Sequence, residues 1–181
     1  MVLRTEKIVW RLKIMAHSKN FKSKTVKTKG YFTIMIFLFL ITFDRLTKVW
    51  AAGLKVDKDY GLFAFTYVTN TGAGFSILQN MNLMLAILSI ILLGVLVYYR
   101  DCVPKFSFML IISGIIGNAI DRIFYGSVVD FINLKFWPIF NIADSMIFIG
   151  VIYWIIILVK EWKDEGKNSK TATRKDLKVR N

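Results

Sequence analysis

Asp44, Arg45, Lys48, Asp121, Arg122, Asp130 and Asp144 stand in or beside stretches otherwise apolar enough to cross a membrane. A charge at mid-bilayer costs about 2.5–3.5 kcal/mol on insertion scales, so such residues are functional candidates by default. Four of the seven are aspartates; no glutamate joins them, because Glu6, Glu161 and Glu165 lie in the tails. Asp44 and Lys48 are four apart, the spacing that sets two side chains on one helical face. Asn118, Asp121 and Arg122 span an arc of about 100° on a helix. Arg122, with five donors, can neutralise one carboxylate there. Asp130 and Asp144 have no cation within a helical turn in sequence. Two carboxylates in a poorly hydrated site cannot both ionise easily, so one keeps its proton. The protonated member can act as general acid while the ionised member activates water, which is aspartic-protease chemistry.

Other chemistries have less to work with. The single histidine, His17, lies in a basic N-terminal stretch, which excludes a histidine-based metalloprotease and a Ser–His or Cys–His nucleophile. Cys102 is the single cysteine, so no internal disulfide is expected. A Ser–Lys pair remains as a formal route, from Ser76, Ser113, Ser127 or Ser145 with Lys48 or Lys135. The plain alternative for Asp130 and Asp144 is structural, a cap or a loop ion pair such as Asp130 with Lys135. The dyad needs no metal or organic cofactor.

The elements that must position these groups follow from hydropathy. The chain has 181 residues, 55% of them hydrophobic, with a mean hydropathy of +0.50. Its apolar runs predict one domain of four transmembrane helices, near 31–51, 81–99, 106–124 and 139–159, each close to the ~20 residues a span needs. Ala51-Ala52-Gly53 would allow the first to be read as a cleaved signal peptide, but cleavage would discard the polar cluster from Asp44 to Lys48. The net charge of +13 sits at the ends, with nine Lys/Arg in residues 1–29 and eight in 160–181. That distribution fits tails attracted to anionic lipid rather than a nucleic-acid-binding face. Three regions result: a basic extension 1–29, a membrane body 30–160 and a basic tail 161–181. Loops 52–80 and 125–138 are poor in net positive charge, so both termini are expected in the cytoplasm. With that orientation, Asp44 and Lys48 lie about 20 Å or more along helix 1, towards its outer end. Asn118, Asp121 and Arg122 fall in the outer half of helix 3, Asn141 and Asp144 in the first turns of helix 4, and Asp130 on the outer loop. The polar groups therefore converge on one level near the outer face.

Loop 52–80 contains the strand-forming run Leu62–Thr69, followed by a turn at Asn70-Thr71-Gly72. The expectation is a small extracytoplasmic β-cradle that holds an extended peptide. Asn70 would grip the substrate main chain there, and Gly72 and Gly74 would allow close approach. Trp50, Tyr60, Phe63, Phe65 and Tyr67 suit an interfacial aromatic belt. Asp44 and Lys48 are read as tying helix 1 to the outer loop, and Asn118 and Arg122 as scaffolding and substrate-positioning groups. Asp121 is read as structural. Asn141, just after Pro138, is either an N-cap or an orienting group for Asp144 or the substrate. Ser113, Gly114 and Gly117 are read as a close helix-packing surface.

Four blocks carry a resemblance. Phe43-Asp44-Arg45-Leu46-Thr47-Lys48 is the first and Asn70-Thr71-Gly72-Ala73-Gly74-Phe75-Ser76 the second. The third joins Gly117-Asn118-Ala119-Ile120-Asp121-Arg122 to Gly126-Ser127-Val128-Val129-Asp130-Phe131; the fourth is Phe140-Asn141-Ile142-Ala143-Asp144-Ser145. Together, in this order and over about residues 31–159, they resemble the lipoprotein signal peptidase (signal peptidase II) family. The resemblance implies an aspartic endopeptidase of the bacterial cell membrane. Such an enzyme removes the signal peptide of prolipoproteins just before a diacylglyceryl-modified cysteine, with Asp130 and Asp144 catalytic. It departs at Arg45, where the family usually has Gln, and at Gly74, where it usually has Ala. The extension 1–29 lies outside it, and Met15 is an alternative start. The partners expected are lipid-modified prolipoproteins and membrane lipids, with no nucleic acid, for a monomeric chain. The rival class is a small proton-coupled transporter or channel subunit whose buried aspartates relay protons. A structural assembly factor would leave those aspartates unexplained.

Overall fold

The structure is a computed structural model that describes residues 30–72 and 80–179, with side chains described as far as Lys163. The extension 1–29, Gly74 and Ser76 fall outside the described residues. Among the described residues the order is α1 (Gly30–Leu54), β1 (Asp57–Asp59), β2 (Ala64–Asn70), α2 (Asn82–Tyr98), α3 (Lys105–Tyr125), β3 (Val128–Asn133) and α4 (Ile142–Val179), with a 3₁₀ turn at Arg100–Cys102. Length and composition suit Lys105–Tyr125 and Ile142–Lys163 to crossing a membrane. α1 is long enough at 25 residues but carries Asp44, Arg45 and Lys48. α2 is apolar and shorter, at 17 residues.

α1 ends by a local device. Lys55 adopts a left-handed conformation (φ 43°), and the Lys55 and Val56 N–H groups donate back to the Ala52 and Ala51 carbonyls at 3.4 and 3.3 Å. This is a Schellman closure with the apolar Val56 buried beneath it. Ala51, a member of the apparent cleavage motif, is thus a fully buried residue inside a helix. Val56 then leads into the sheet by accepting from the Tyr67 N–H at 2.7 Å.

The sheet is antiparallel in the order β1-β2-β3. β2 falls on the strand-forming run expected from its residues and continues one residue past it, to Asn70, which was expected in the turn, but its partner β3 comes from the segment expected to be a loop. Val128-Val129-Asp130-Phe131-Ile132 is rich in β-branched and aromatic residues, and a polar residue at its centre concealed the strand. Val68 pairs with Asp130 and Phe65 with Ile132, so Thr66 and Tyr67 together face Phe131 across a bulge. Phe140 exchanges backbone hydrogen bonds with Ile132 at 2.8 and 3.0 Å. That bridge delays α4 to Ile142, three residues beyond the expected start. At its other end α4 runs on as helix to Val179, through the stretch that composition separates as a tail.

α3 is the central helix, and small residues bring its neighbours close. A Cβ on Gly114 would lie 2.4 Å from the Ala143 carbonyl oxygen of α4, and one on Gly117 would lie 2.7 Å from the Asp44 carboxylate of α1. Gly150 plays the same part from the α4 side, against Ile111 and the Ser107 carbonyl. Leu96, Val103, Ile111 and Ile115 pack as one core between α2 and α3, while Leu110, Ala143 and Met146 pack as a second between α3 and α4. Leu38 and Phe39 of α1, Ile87 and Ile91 of α2, and Ile149 and Ile156 of α4 are exposed. An apolar surface of this extent suits lipid rather than water.

Candidate active site

Sequence-distant polar residues meet where the last turns of α1 and α3 approach β3 and the start of α4. Lys48 and Asp44 are 1% and 0% exposed, so their charges have to be answered by protein. Lys48 Nζ donates to Asp44 Oδ2 at 2.8 Å and to Asn118 Oδ1 at 3.0 Å. It also lies 2.7 Å from Asp121 Oδ2 as an ion pair, off the direction a hydrogen bond needs. Arg45 closes the set by pairing with Asp121 Oδ1, its guanidinium 4.8 Å over the Tyr125 ring. The remaining Asp44 oxygen accepts the Ala143 N–H at 2.9 Å. Two carboxylates and two cations therefore balance. Removing one member of such a buried set costs about 3–5 kcal/mol, because an unpaired charge is left behind.

Asp130 and Asp144 are held differently. Asp130 Oδ1 accepts from Asn141 Nδ2 at 2.6 Å and Oδ2 from Asn70 Nδ2 at 2.8 Å. Asp144 Oδ1 accepts from Asn118 Nδ2 at 2.7 Å and Oδ2 from the Asn141 backbone N–H at 3.2 Å. Asn141 Oδ1 in turn accepts the Asp144 N–H at 3.0 Å. Asn141 and Asp144 thus form a reciprocal capping box at the start of α4. The two roles weighed for Asn141 coincide, since one residue caps the helix and touches both aspartates. Asp130 is 3% exposed and Asp144 is half-buried, so the pair opens on the Asp144 side. Burial, and after it the charge of Asp144, push the Asp130 carboxyl up to about 6, against the Asn70 and Asn141 amides and Lys48.

Several expectations are corrected. Asp44 and Lys48 tie α1 to α3 and α4, not to the outer loop, because a buried ammonium with three acceptors around it finds them on packed helices. Asp130 is on strand β3, and Lys135 pairs with Asp59 instead of Asp130. Lys135 and the Gly61 N–H hold the exposed Asp59 below the usual carboxylate range. Asn70 spends its side chain inside the protein, on Asp130 and on the Gly72 N–H, which donates to Asn70 Oδ1 at 2.9 Å. Arg122 donates to the Gly72 carbonyl at 3.2 Å, while Asp121 is matched by Arg45 and Lys48. Arg45 and Gly150 carry roles that sequence reasoning left out. Arg45 was visible as one of the ionisable residues in apolar surroundings and as a departure from a family pattern, without a partner assigned to it, and Gly150 only as a small residue on a helix. Trp50, Phe65, Phe63, Tyr60 and Phe131 form one ring cluster, with centroids 5.1–6.5 Å apart.

This fold is that of a membrane enzyme. One solved bacterial membrane enzyme, determined in meso at 2.3 Å resolution, superposes with a TM-score of 0.67 at 35% identity over 73% of this chain and 90% of its own. A second, at 1.9 Å resolution, gives 0.61 and 36%, over 71% and 92%. Residues 36–160 match the family described as signal peptidase (SPase) II, and the chain belongs to that family. The lipoprotein signal peptidase of Clostridium novyi (strain NT) is 38% identical over 146 residues, 72% of this chain and 99% of the relative. That of Caldicellulosiruptor bescii is 41% identical over 143 residues, 75% and 94% respectively. Membership of a peptidase family disfavours the transporter reading. So does α2, whose Asn82 donates to the Gly126 carbonyl and whose Ser89 donates within its own helix.

Proposed function

We propose that the chain is an aspartic endopeptidase that removes the signal peptide from diacylglyceryl-modified prolipoproteins, cutting just before the lipidated cysteine, with Asp130 and Asp144 as its catalytic pair. The observation that carries the reading is the division among the aspartates. Asp44 and Asp121 are paired with cations, whereas Asp130 and Asp144 accept from neutral amides. A cation bound to a carboxylate opposes its protonation, while neutral donors orient it and leave the proton exchangeable.

Asp130, the more deeply buried of the two, is assigned the starting proton and gives it to the scissile carbonyl oxygen. Asp144 takes a proton from water, whose oxygen bonds to the carbonyl carbon. The tetrahedral intermediate then collapses: the C–N bond breaks, Asp144 returns its proton to the leaving amine, and Asp130 recovers one from the hydroxyl as the new carboxyl forms. Four spans are supported by α1 cancelling its charges against α3, and both termini in the cytoplasm by the Lys/Arg asymmetry. α2 needs little tilt, its 17 residues reaching about 26 Å at 1.5 Å per residue. The substrate's signal helix enters from the bilayer. One chain supplies both aspartates and their donors, as a monomeric enzyme requires. Lipidation fixes the depth of the scissile bond, each buried methylene adding about 0.8 kcal/mol. The purified chain should release the signal peptide from a lipid-modified precursor and leave the unmodified precursor essentially uncut. Equal turnover of both precursors would contradict the lipid requirement, and no turnover of either would contradict the activity.

A further inference from the structure

We propose that Lys48 is a positioning residue for this reaction: through Asn118 it decides which end of that amide faces Asp144. The proposal rests on Asp130 and Asp144 being the catalytic pair. An ammonium can only donate, so the Asn118 atom 3.0 Å from Lys48 Nζ has to be the oxygen, and the atom 2.7 Å from Asp144 Oδ1 has to be the amide nitrogen. Asn70 and Asn141 are polarised by backbone N–H groups, of Gly72 and Asp144. Asn118 instead has two side-chain donors on its oxygen, Lys48 and, at 3.2 Å, Asn141 Nδ2. The charged one is the stronger, and Asn141 Nδ2 already serves Asp130 at the shorter distance of 2.6 Å. Lys48 is anchored by Asp44 on its own helix and by Asp121 on α3, with Arg45 on the other Asp121 oxygen. Arg122 of α3 and Asp130 of β3 complete the charges around Asp144. If the Asn118 amide turned over, its oxygen would meet Asp144, and that contact forms only when the carboxyl carries a proton.

The double exchange Asp44→Asn/Lys48→Met tests this in the full chain, because it removes one charge of each sign and leaves the net charge of the cluster unchanged. With a lipid-modified precursor, kcat should fall about tenfold and KM stay within about twofold. The acid limb of the pH–rate profile should move up by about one unit, the scale of one hydrogen bond to a charged group. A purely structural lysine would lower the amount of folded enzyme and leave that limb in place, and this result in a folded variant would overturn the proposal. If the double exchange does not fold, Asp44→Leu/Lys48→Leu decides, since an apolar pair is the replacement a buried ion pair tolerates best. It also removes the ammonium from Asn118 without adding a charge near Asp144, so the limb should again move up; an unmoved limb would overturn the proposal. Failure of the dyad itself would look different, as turnover by Asp130→Asn or Asp144→Asn in the same assay.

Discussion

Asp121 and Asp130 are nine residues apart in sequence, and both are buried, yet their surroundings fit them for different work. Arg45 and Lys48 flank Asp121, while two side-chain amides hold Asp130. Asp130→Asn and Asp144→Asn should therefore each abolish precursor cleavage while membrane insertion persists, since an amide cannot exchange the required proton. Asp121→Asn should destabilise the fold by about 3 kcal/mol yet retain measurable turnover per folded molecule. Turnover by either of the first two would sink the dyad. The raised Asp130 group adds a test of stability. The folded state keeps this proton up to about pH 6, whereas the unfolded chain releases it near 4. Between those values the folded state binds more protons, so Asp130 makes stability fall as pH rises through about 4 to 6. Asp130→Asn should remove that part of the fall, about 3 kcal/mol, in melting curves of the detergent-solubilised protein. Identical pH dependence in both proteins would show that Asp130 titrates normally.

The capping box at the start of α4 makes a helix terminus part of the site, because the groups that begin the helix also orient Asp144. Its position depends on how closely α3 lets α4 approach. Gly114→Ala would drive a methyl group into the Ala143 backbone, 2.4 Å away, one residue before Asp144. The expected loss is about 1–3 kcal/mol of stability and at least about tenfold in kcat, if a misplacement of about 1 Å costs what it does elsewhere. Gly94→Ala on α2 meets nothing within 4 Å and should be neutral or stabilising by up to ~1 kcal/mol. Equal effects of the two in thermal melts would show that the α3–α4 contact is not tight.

The placement of the whole bundle in the membrane is testable by labelling. After Cys102→Ser removes the native thiol, a membrane-impermeant maleimide should reach cysteines introduced at Lys58 or Ser127 and miss one at Lys170, as the Lys/Arg asymmetry requires. Labelling at Lys170 from outside would invert the topology and move the site to the other face. Much of this architecture is local in origin and could be read directly. The apolar run lengths mark the helices, the i,i+4 spacing pairs Asp44 with Lys48, and charge accounting leaves Asp130 and Asp144 over. Non-local pairings could not be read that way. Arg45 meets Asp121 across 76 positions, Lys48 meets Asn118 across 70, and Asn70 meets Asp130 across 60. Hydropathy and helical periodicity constrain neighbours within a few turns. Which distant amide or cation answers a buried carboxylate depends on how closely Gly114, Gly117 and Gly150 let the helices approach, and on the pairing of β2 with β3. Residue types and spacing therefore singled out Asp130 and Asp144 as candidates, while packing decided that Asp44 and Asp121 are matched by cations and Asp130 and Asp144 held by amides.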